Sequence, residues 1–182
     1  MWQTRSATDR GGRRNAVTGM LLGALPLAIA AFAVGPAGDV PRINDITTDP
    51  DDPPVFRAAQ EIEANRGREL GYPGEEFARA QRAGYPDLAP LRVAGAPDAV
   101  LERCVAAAED LGWTITTLDP AAGGFEAFEV TRVFRFVDDI AVRVRPDGAD
   151  SVVDVRSKSR DGQGDIGANA ARIRAFRDAL AG

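Results

Sequence analysis

The feature that most limits how this chain can fold is a strict alternation of apolar and charged residues on either side of Pro146-Asp147-Gly148. Residues 140–145 read IAVRVR and residues 153–156 read VDVR, so Ile or Val occupies every second position. Such alternation is typical of strands with one buried face, and Pro-Asp-Gly supplies the chemistry of a tight turn. The pattern predicts a β-hairpin whose other face is charged and exposed. Ion pairs on an exposed face contribute only about 0.2–1 kcal/mol each.

Two segments with apolar residues at helical spacing flank this hairpin. The first runs from Pro97 to a stop at Gly112, and the second follows Asp165, which lies where an N-cap belongs. The apolar stripe of the first segment consists of Val100, Leu101, Cys104, Val105, Ala108 and Leu111. The stripe of the second consists of Ile166, Ala170, Ile173, Phe176 and Leu180. Both patterns predict amphipathic helices.

Four strands are expected between these helices, two from the hairpin and two from residues 113–118 and 125–137. The alternation of residues 125–137 breaks near Thr131, which predicts a bulge or a bend. The predicted element order is αββββα. It indicates the α+β class, with a four-stranded antiparallel sheet flanked by two helices in a core domain over residues 92–182.

An apolar segment near the N-terminus predicts a transmembrane helix before this domain. Residues 16–34 read AVTGMLLGALPLAIAAFAV, nineteen uncharged residues that would extend about 28 Å as a helix. Four arginines lie in residues 1–15, so the positive-inside rule places this basic tail in the cytoplasm and the domain in the periplasm. We therefore expect a single-pass inner-membrane protein. The alternative is a cleaved signal peptide that releases the domain into the periplasm, since residues 28–30 and 31–33 have the small-x-small form.

Two further segments connect the apolar stretch to the core domain. Residues 35–54 are rich in Pro and Asp without a helical or strand period, which predicts an extended linker or a wrapping segment. Residues 55–91 carry helix formers with little apolar content and predict a helical connecting region. The sequence leaves open whether this region packs on the domain or on the membrane surface.

Composition excludes several classes of function. The chain contains no His, which removes Ser-His-Asp and Cys-His catalysis. Its net charge is −5 and residues 1–15 contribute +3, so the remaining residues carry −8, which disfavours nucleic acid as a partner. The single cysteine, Cys104, falls on an apolar helix face and predicts a buried structural thiol. No ligand spacing typical of a metal or cofactor site is present, so we expect neither group.

Five motifs resemble one family. They are PRINDITTDP from Pro41, YPDLAPL from Tyr85, the Gly-Trp pair at 112–113, FRFVDD from Phe134 and VDVRSKSRDGQGDIGANAARI from Val153. Together they are similar to the bacterial and plastid family called domain of unknown function 1499, over about residues 41–180. The resemblance implies an N-terminal transmembrane segment, which members of that family often carry, and it implies no activity.

The candidate ligand-binding residues concentrate in the hairpin and the loop after it. They are Asp139, Arg143, Asp154, Arg156, Ser157, Ser159, Arg160 and Asn169. An anion could bind where residues 157–164 lead into the last helix, since backbone N–H groups and the helix dipole favour negative charge there. Against this, Asp165 can cap that helix itself. The competing interpretation is a buried polar network that holds the last hairpin against the last helix.

Catalysis by these residues meets a geometric objection. Asp138 and Asp139 are adjacent in a strand, as are Ser157 and Lys158, and adjacent strand residues point to opposite faces of a sheet. Neither pair can act on one substrate without a bulge or a turn.

The sequence therefore favours a non-enzymatic binding or scaffold module at the cell envelope, attached to the membrane by its N-terminal helix. Its expected partner is an envelope protein, a lipid or a small anionic ligand. The alternative is a hydrolase or transferase that works without His, through Asp, Arg and Ser residues of the C-terminal hairpin and loop. An enzyme would place several of these residues around one concave pocket, whereas a binding module would show an apolar groove or a flat patch.

Overall fold

A long antiparallel hairpin lies at the centre of the fold, as the alternating pattern predicts. It is seen in a computed structural model that describes residues 41–131 and 134–181. The strands are β1 (Asp45–Thr47), β2 (Leu91–Val93), β3 (Thr114–Asp119), β4 (Gly124–Val130), β5 (Val137–Asp147) and β6 (Asp150–Ser159). The helices are α1 (Ala58–Glu61), α2 (Glu75–Gly84), α3 (Pro97–Asp110) and α4 (Ala168–Ala181), with a 3₁₀ turn at Glu63–Asn65.

The strands form one antiparallel sheet in the order β1-β6-β5-β4-β3, and β2 also pairs with β6. Both short strands lie on the same side of β6, with β1 beside Arg156–Lys158 and β2 beside Ser151–Val153. The predicted α+β class and antiparallel sheet are confirmed. The predicted strand number was wrong, because the sheet has six strands among the described residues. Each added strand has only three residues, too few to show an alternation.

The break predicted near Thr131 is a complete turn. Strand β4 ends at Val130, and the Thr131 N–H donates a hydrogen bond to the Phe136 carbonyl (2.8 Å) before β5 begins. The turn leaves Phe134 and Phe136 in solvent at 69% and 49% exposure. Residues 125–137 therefore supply nearly all of β4 and only the first residue of β5.

Helices α3 and α4 pack on one face of the sheet, over the Ile and Val side chains of the hairpin. Trp113 stacks on Phe176 with ring centroids 4.9 Å apart, which joins the end of α3 to the middle of α4. Each large apolar side chain buried here contributes about 1.5–3 kcal/mol. One predicted member of the α4 stripe is misplaced: Ile166 precedes the helix and is 62% exposed.

Cys104 lies in this core and gives a direct test of its packing. Its side chain is fully buried, and desolvation raises the pKa of the thiol to about 12. Because the thiolate is the reactive species, we expect no labelling by Ellman's reagent in the folded chain at neutral pH and full labelling in denaturant. Rapid labelling of the native protein would show that this part of the core opens.

The other face of the sheet is covered by residues 49–72, here called the wrapping segment. Phe56, Ala59 and Leu70 of this segment pack on Ala141 of β5. The buried Glu126 carboxylate accepts hydrogen bonds from the backbone N–H groups of residues 57–59 at 2.6–2.8 Å, which attaches the start of α1 to β4. The prediction that the charged face of the hairpin is exposed is therefore wrong. The few apolar residues of the wrapping segment follow no period, so the sequence pattern did not show that it covers this face.

The predicted basic tail and the predicted membrane segment, residues 1–34, lie outside the described residues. No helix within residues 41–131 and 134–181 is long and apolar enough to cross a membrane.

Candidate functional site

The sheet separates the eight candidate residues into two groups on opposite faces. In the β5–β6 register, Asp139 lies opposite Lys158 and Arg143 lies opposite Asp154. The group on the face covered by the wrapping segment consists of Asp139, Arg143, Asp154, Arg156 and Arg160. The group on the helix-covered face consists of Ser157, Ser159 and Asn169. The candidates therefore do not form one site.

Arg156 is the centre of the first group, and its side chain is only 2% exposed. Its Nε and Nη2 atoms donate to the two carboxylate oxygens of Asp45 at 2.9 and 2.8 Å. Its Nη1 and Nη2 atoms also donate to the carbonyl oxygens of Pro54 (3.1 Å) and Leu70 (2.9 Å), both in the wrapping segment. Arg156 thus joins β6, β1 and the wrapping segment through charge-assisted hydrogen bonds.

Two aromatic rings and a second cation complete the surroundings of Arg156. Its guanidinium carbon lies 4.7 Å from the Phe56 ring centre and 5.5 Å from that of Tyr72. Burial, with a smaller effect of the Asp45 carboxylate, raises the pKa of Tyr72 to about 12 and keeps the phenol neutral. Lys158 Nζ donates at 2.8 Å to Asp45 Oδ2, the oxygen that also accepts from Arg156 Nη2. One buried carboxylate therefore faces two buried cations.

The other carboxylates of this face are connected to the wrapping segment, Asp139 directly and Asp154 through two arginines of β5. Asp139 pairs with Arg160 at 2.6 Å and accepts a hydrogen bond from Asn65 Nδ2 at 3.1 Å. Asp154 accepts from Arg143 (2.9 Å) and Arg145 (2.8 Å) through one oxygen, while its buried Oδ1 accepts no hydrogen bond from the described residues. The same two arginines reach forward to Asp52 and Asp49. These charges connect layers of the fold.

The helix face carries the polar network that the sequence indicated between the last hairpin and the last helix. Ser157 Oγ donates to Asn169 Oδ1 at 2.6 Å, and Asn169 Nδ2 donates to Ser159 Oγ at 2.9 Å. Arg172 extends this network, since its Nη2 pairs with Asp138 at 2.5 Å and its Nε with Glu129. Asp138 and Asp139 do point to opposite faces, as adjacent strand residues must.

The proposed anion position at the last helix is filled by the chain itself. Asp165 Oδ1 accepts the N–H of Gly167 at 3.0 Å, and its Oδ2 accepts that of Asn169 at 2.7 Å. A carboxylate at this helix N-terminus satisfies the free N–H groups and the helix dipole. Residues 157–164 therefore lead to a capped helix end.

Sequence reasoning missed the partners of these candidates. Arg172 had a usable signal, because it lies three residues after Asn169 and so on the same side of α4. Asp45 lies in the PRINDITTDP motif, but nothing in the sequence pairs it with Arg156, since 111 positions separate the two. Asn65 and Glu126 likewise act through contacts with residues distant in the chain.

A groove lies between the start of the wrapping segment and strands β3 to β5, with a volume of about 180 Å³. Its lining residues are Pro54, Val55, Arg57, Ala58, Thr117, Asp119, Ala122, Gly124, Phe125, Glu126, Ala141, Val142 and Arg143. Of the residues proposed for catalysis, Arg143 lines it, whereas Asp139, Asp154, Arg156 and Ser157 do not. Glu126 accepts the backbone N–H groups of residues 57–59, and Arg143 pairs with Asp52 and Asp154. The exposed Arg57 has no ion-pair partner within 4 Å in the described part of the chain.

Metal ligands do not converge in this structure. Within residues 41–131 and 134–181, no group of three or more Cys, Asp or Glu side chains could hold a metal ion. The acidic residues Asp49 and Asp52 instead accept hydrogen bonds or pair with the arginines of β5.

The fold and its charged clusters define a class of α+β domain in which an antiparallel sheet is covered by helices on one face and by an irregular wrapping segment on the other. The chain belongs to the family described as Protein of unknown function (DUF1499), which matches residues 45–180. The resemblance seen in the sequence is thereby confirmed. The match begins at the first residue of β1, so the wrapping segment lies within the family domain. No curated protein matches the chain.

Proposed function

We propose that this protein is a non-enzymatic binding module of the cell envelope that recognises an extended segment of a partner protein. Residues 16–34 would hold it at the inner membrane with the domain in the periplasm, or would direct its release there if they are cleaved. The observation that carries the proposal is the groove beside β3, which is an edge strand of the sheet formed by the described residues.

The groove has the size and chemistry of a subsite for one side chain. Pockets for drug-sized ligands occupy about 300–1,000 Å³, and this groove has about 180 Å³. Apolar side chains on this side of the sheet are those of Ala141 and of Val55, which is 61% exposed, whereas the side chains of Phe125 and Val142 pack in the core under helices α3 and α4. Arg57, which also lines the groove, supplies a positive charge that has no ion-pair partner within 4 Å in the described part of the chain. An apolar side chain next to an acidic one fits this arrangement.

Strand β3 provides a backbone for such a segment to pair with. It is the last strand of the sheet order, and five of its six residues are exposed. A free strand edge offers unpaired N–H and C=O groups, and extended peptides add to such edges. Thr117 and Asp119 of β3 also line the groove, so the pairing edge and the side-chain subsite adjoin.

The charged residues support binding more than catalysis. A reacting group must reach its substrate. Asp45, Asp139, Asp154 and Arg156 are fully or almost fully buried and hydrogen-bond to other side chains of the chain. The hydrolase or transferase alternative would need these groups at an open pocket.

The test uses short random peptides displayed on phage, selected against the full-length chain in detergent micelles. We expect enriched peptides that combine an apolar and an acidic residue, and we expect Ala122→Trp to weaken their binding by about tenfold or more because Trp would fill the groove mouth. Ala121→Trp is the matched control, since Ala121 is exposed in the same turn and does not line the groove. No enrichment, or equal binding to both variants, would contradict the proposal.

A further inference from the structure

Three of the five exposed large apolar side chains of the described residues lie at one end of the sheet. Phe134 and Phe136, in the turn between β4 and β5, stack with ring centroids 5.6 Å apart and stay 69% and 49% exposed. Ile166, in the loop before α4, is 62% exposed. Clustered apolar side chains in solvent are unusual for a soluble surface and mark an interaction site.

The backbone around these side chains is strained. Arg135 has φ of 59° and Ile166 has φ of 53°, and both are exposed. They are the non-glycine residues with positive φ in the described part of the chain. A β-branched residue in this region is a steric outlier, and such conformations persist only where the surrounding structure holds them. Stability alone does not explain why two exposed turns keep an unfavourable backbone conformation beside apolar side chains. This observation supports a role in binding.

Both turns lie at the end of the sheet where the chain enters the domain. The Arg160 N–H donates to the Val137 carbonyl and the Ser159 N–H donates to the Asn44 carbonyl, both at 2.9 Å. The Asp165 N–H donates to the Ile43 carbonyl at 3.3 Å. The start of β5, the end of β6, the loop before α4 and the segment before β1 are therefore neighbours.

Chain length relates this end to the predicted membrane segment. Six residues separate Val34 from Pro41, which span at most about 25 Å when fully extended. Strand β5 alone has eleven residues and is about 36 Å long. If residues 16–34 cross the bilayer, the six residues after them keep Pro41 within about 25 Å of the lipid, a distance shorter than strand β5.

We propose that Phe134, Arg135, Phe136 and Ile166 form a docking surface that inserts into the interface of a phospholipid bilayer. The phenylalanine rings and the Ile166 side chain would enter the boundary between headgroups and acyl chains, as apolar faces of interfacial segments do. Arg135 is exposed and lies between the two phenylalanines in the sequence, so it is available for a lipid phosphate, which arginine binds through paired N–H groups. The surface would fix the orientation of the domain and direct the groove away from the membrane.

The experiment places a fluorescent NBD label on the full-length chain in vesicles of phosphatidylcholine and phosphatidylglycerol that contain a spin-labelled lipid. Phe136→Cys carries the label, and the buried Cys104 stays unlabelled in the folded chain. We expect the label at residue 136 to shift to shorter wavelength and to lose most of its intensity to the spin label. Quenching depends on contact with lipid, so it does not report on peptide binding at the groove.

The matched control is Leu118→Cys, another exposed apolar position, at the opposite end of the sheet. Leu118 pairs with Phe125 at the start of β4, whereas the docking surface follows Val130 at its end. We expect no quenching at residue 118. Equal quenching at both positions would show a domain lying on the membrane without a preferred end and would overturn the proposal. An unquenched label at residue 136 would also overturn it, and would leave a protein partner as the occupant of this surface.

Discussion

Replacement of Asp45 by alanine is expected to lower the free energy of unfolding by about 3–5 kcal/mol, the cost of removing one partner from a buried ion pair. The Asp45 carboxylate is fully buried and is the ion-pair partner of both Arg156 and Lys158. Its loss would leave two cations without a counter-charge in a site closed by the Phe56 and Tyr72 rings. Urea denaturation of residues 40–182, which form one compact unit, measures the effect.

Asp51→Ala is the matched control for this prediction. Asp51 also forms an ion pair with an arginine, Arg82, but both side chains are largely exposed, at 80% and 44%. A surface pair of this kind contributes about 0–1 kcal/mol. Similar losses for the two variants would show that the Asp45 pair is no more desolvated than a surface pair, contrary to the burial found here.

Replacement of Arg172 by methionine is expected to have a comparable effect on the opposite face, again about 3–5 kcal/mol. Methionine keeps much of the length and apolar volume of the side chain but removes the charge. Asp138, whose side chain is 2% exposed, would then lose its counter-charge, and Ser157 and Asn169 would each lose a hydrogen bond. The same urea titration measures the loss.

Two comparisons separate this charge effect from a general disturbance of α4. Arg174→Met makes the same change on the same helix, where the pair with Asp87 is partly exposed, so we expect a loss below about 1 kcal/mol. Adding Asp138→Asn to Arg172→Met should recover part of the stability, because the unpaired charge is then removed as well. Additive losses from the two substitutions would mean that Asp138 and Arg172 do not interact.

The parts of the fold that sequence reasoning found are those with a long local period. Helix α3 shows its apolar stripe over fourteen residues, and the β5–β6 hairpin shows its alternation around a turn that fixes the pairing. Sequence reasoning did not find strands β1 and β2, because three residues cannot show a period. Both strands are held by pairing with β6. Sequence reasoning also did not predict the exposure of Ile166, because helical spacing alone does not show where a helix begins.

The candidate residues were found as a group, but their arrangement was not. Ser157 and Asn169 lie twelve positions apart, on a strand and the helix that follows it, so a contact between them was predictable. The bond between Arg156 and Asp45 joins residues 111 positions apart, and no local pattern indicates it. No local pattern indicates the groove either, because its walls come from residues 54–58 and from strands β3 to β5.

The sequence by itself determined the α+β class, the central hairpin, the two long helices and the membership of the family, because these depend on residue periodicity and on motifs read along the chain. Only the tertiary structure decided which charges are buried. A charged strand face is exposed or enclosed according to what packs on it, and here a segment with few apolar residues covers it and is held by ion pairs and backbone hydrogen bonds. The burial of Arg156, and with it the location of the groove and the exposed turns, follows from contacts between distant parts of the chain.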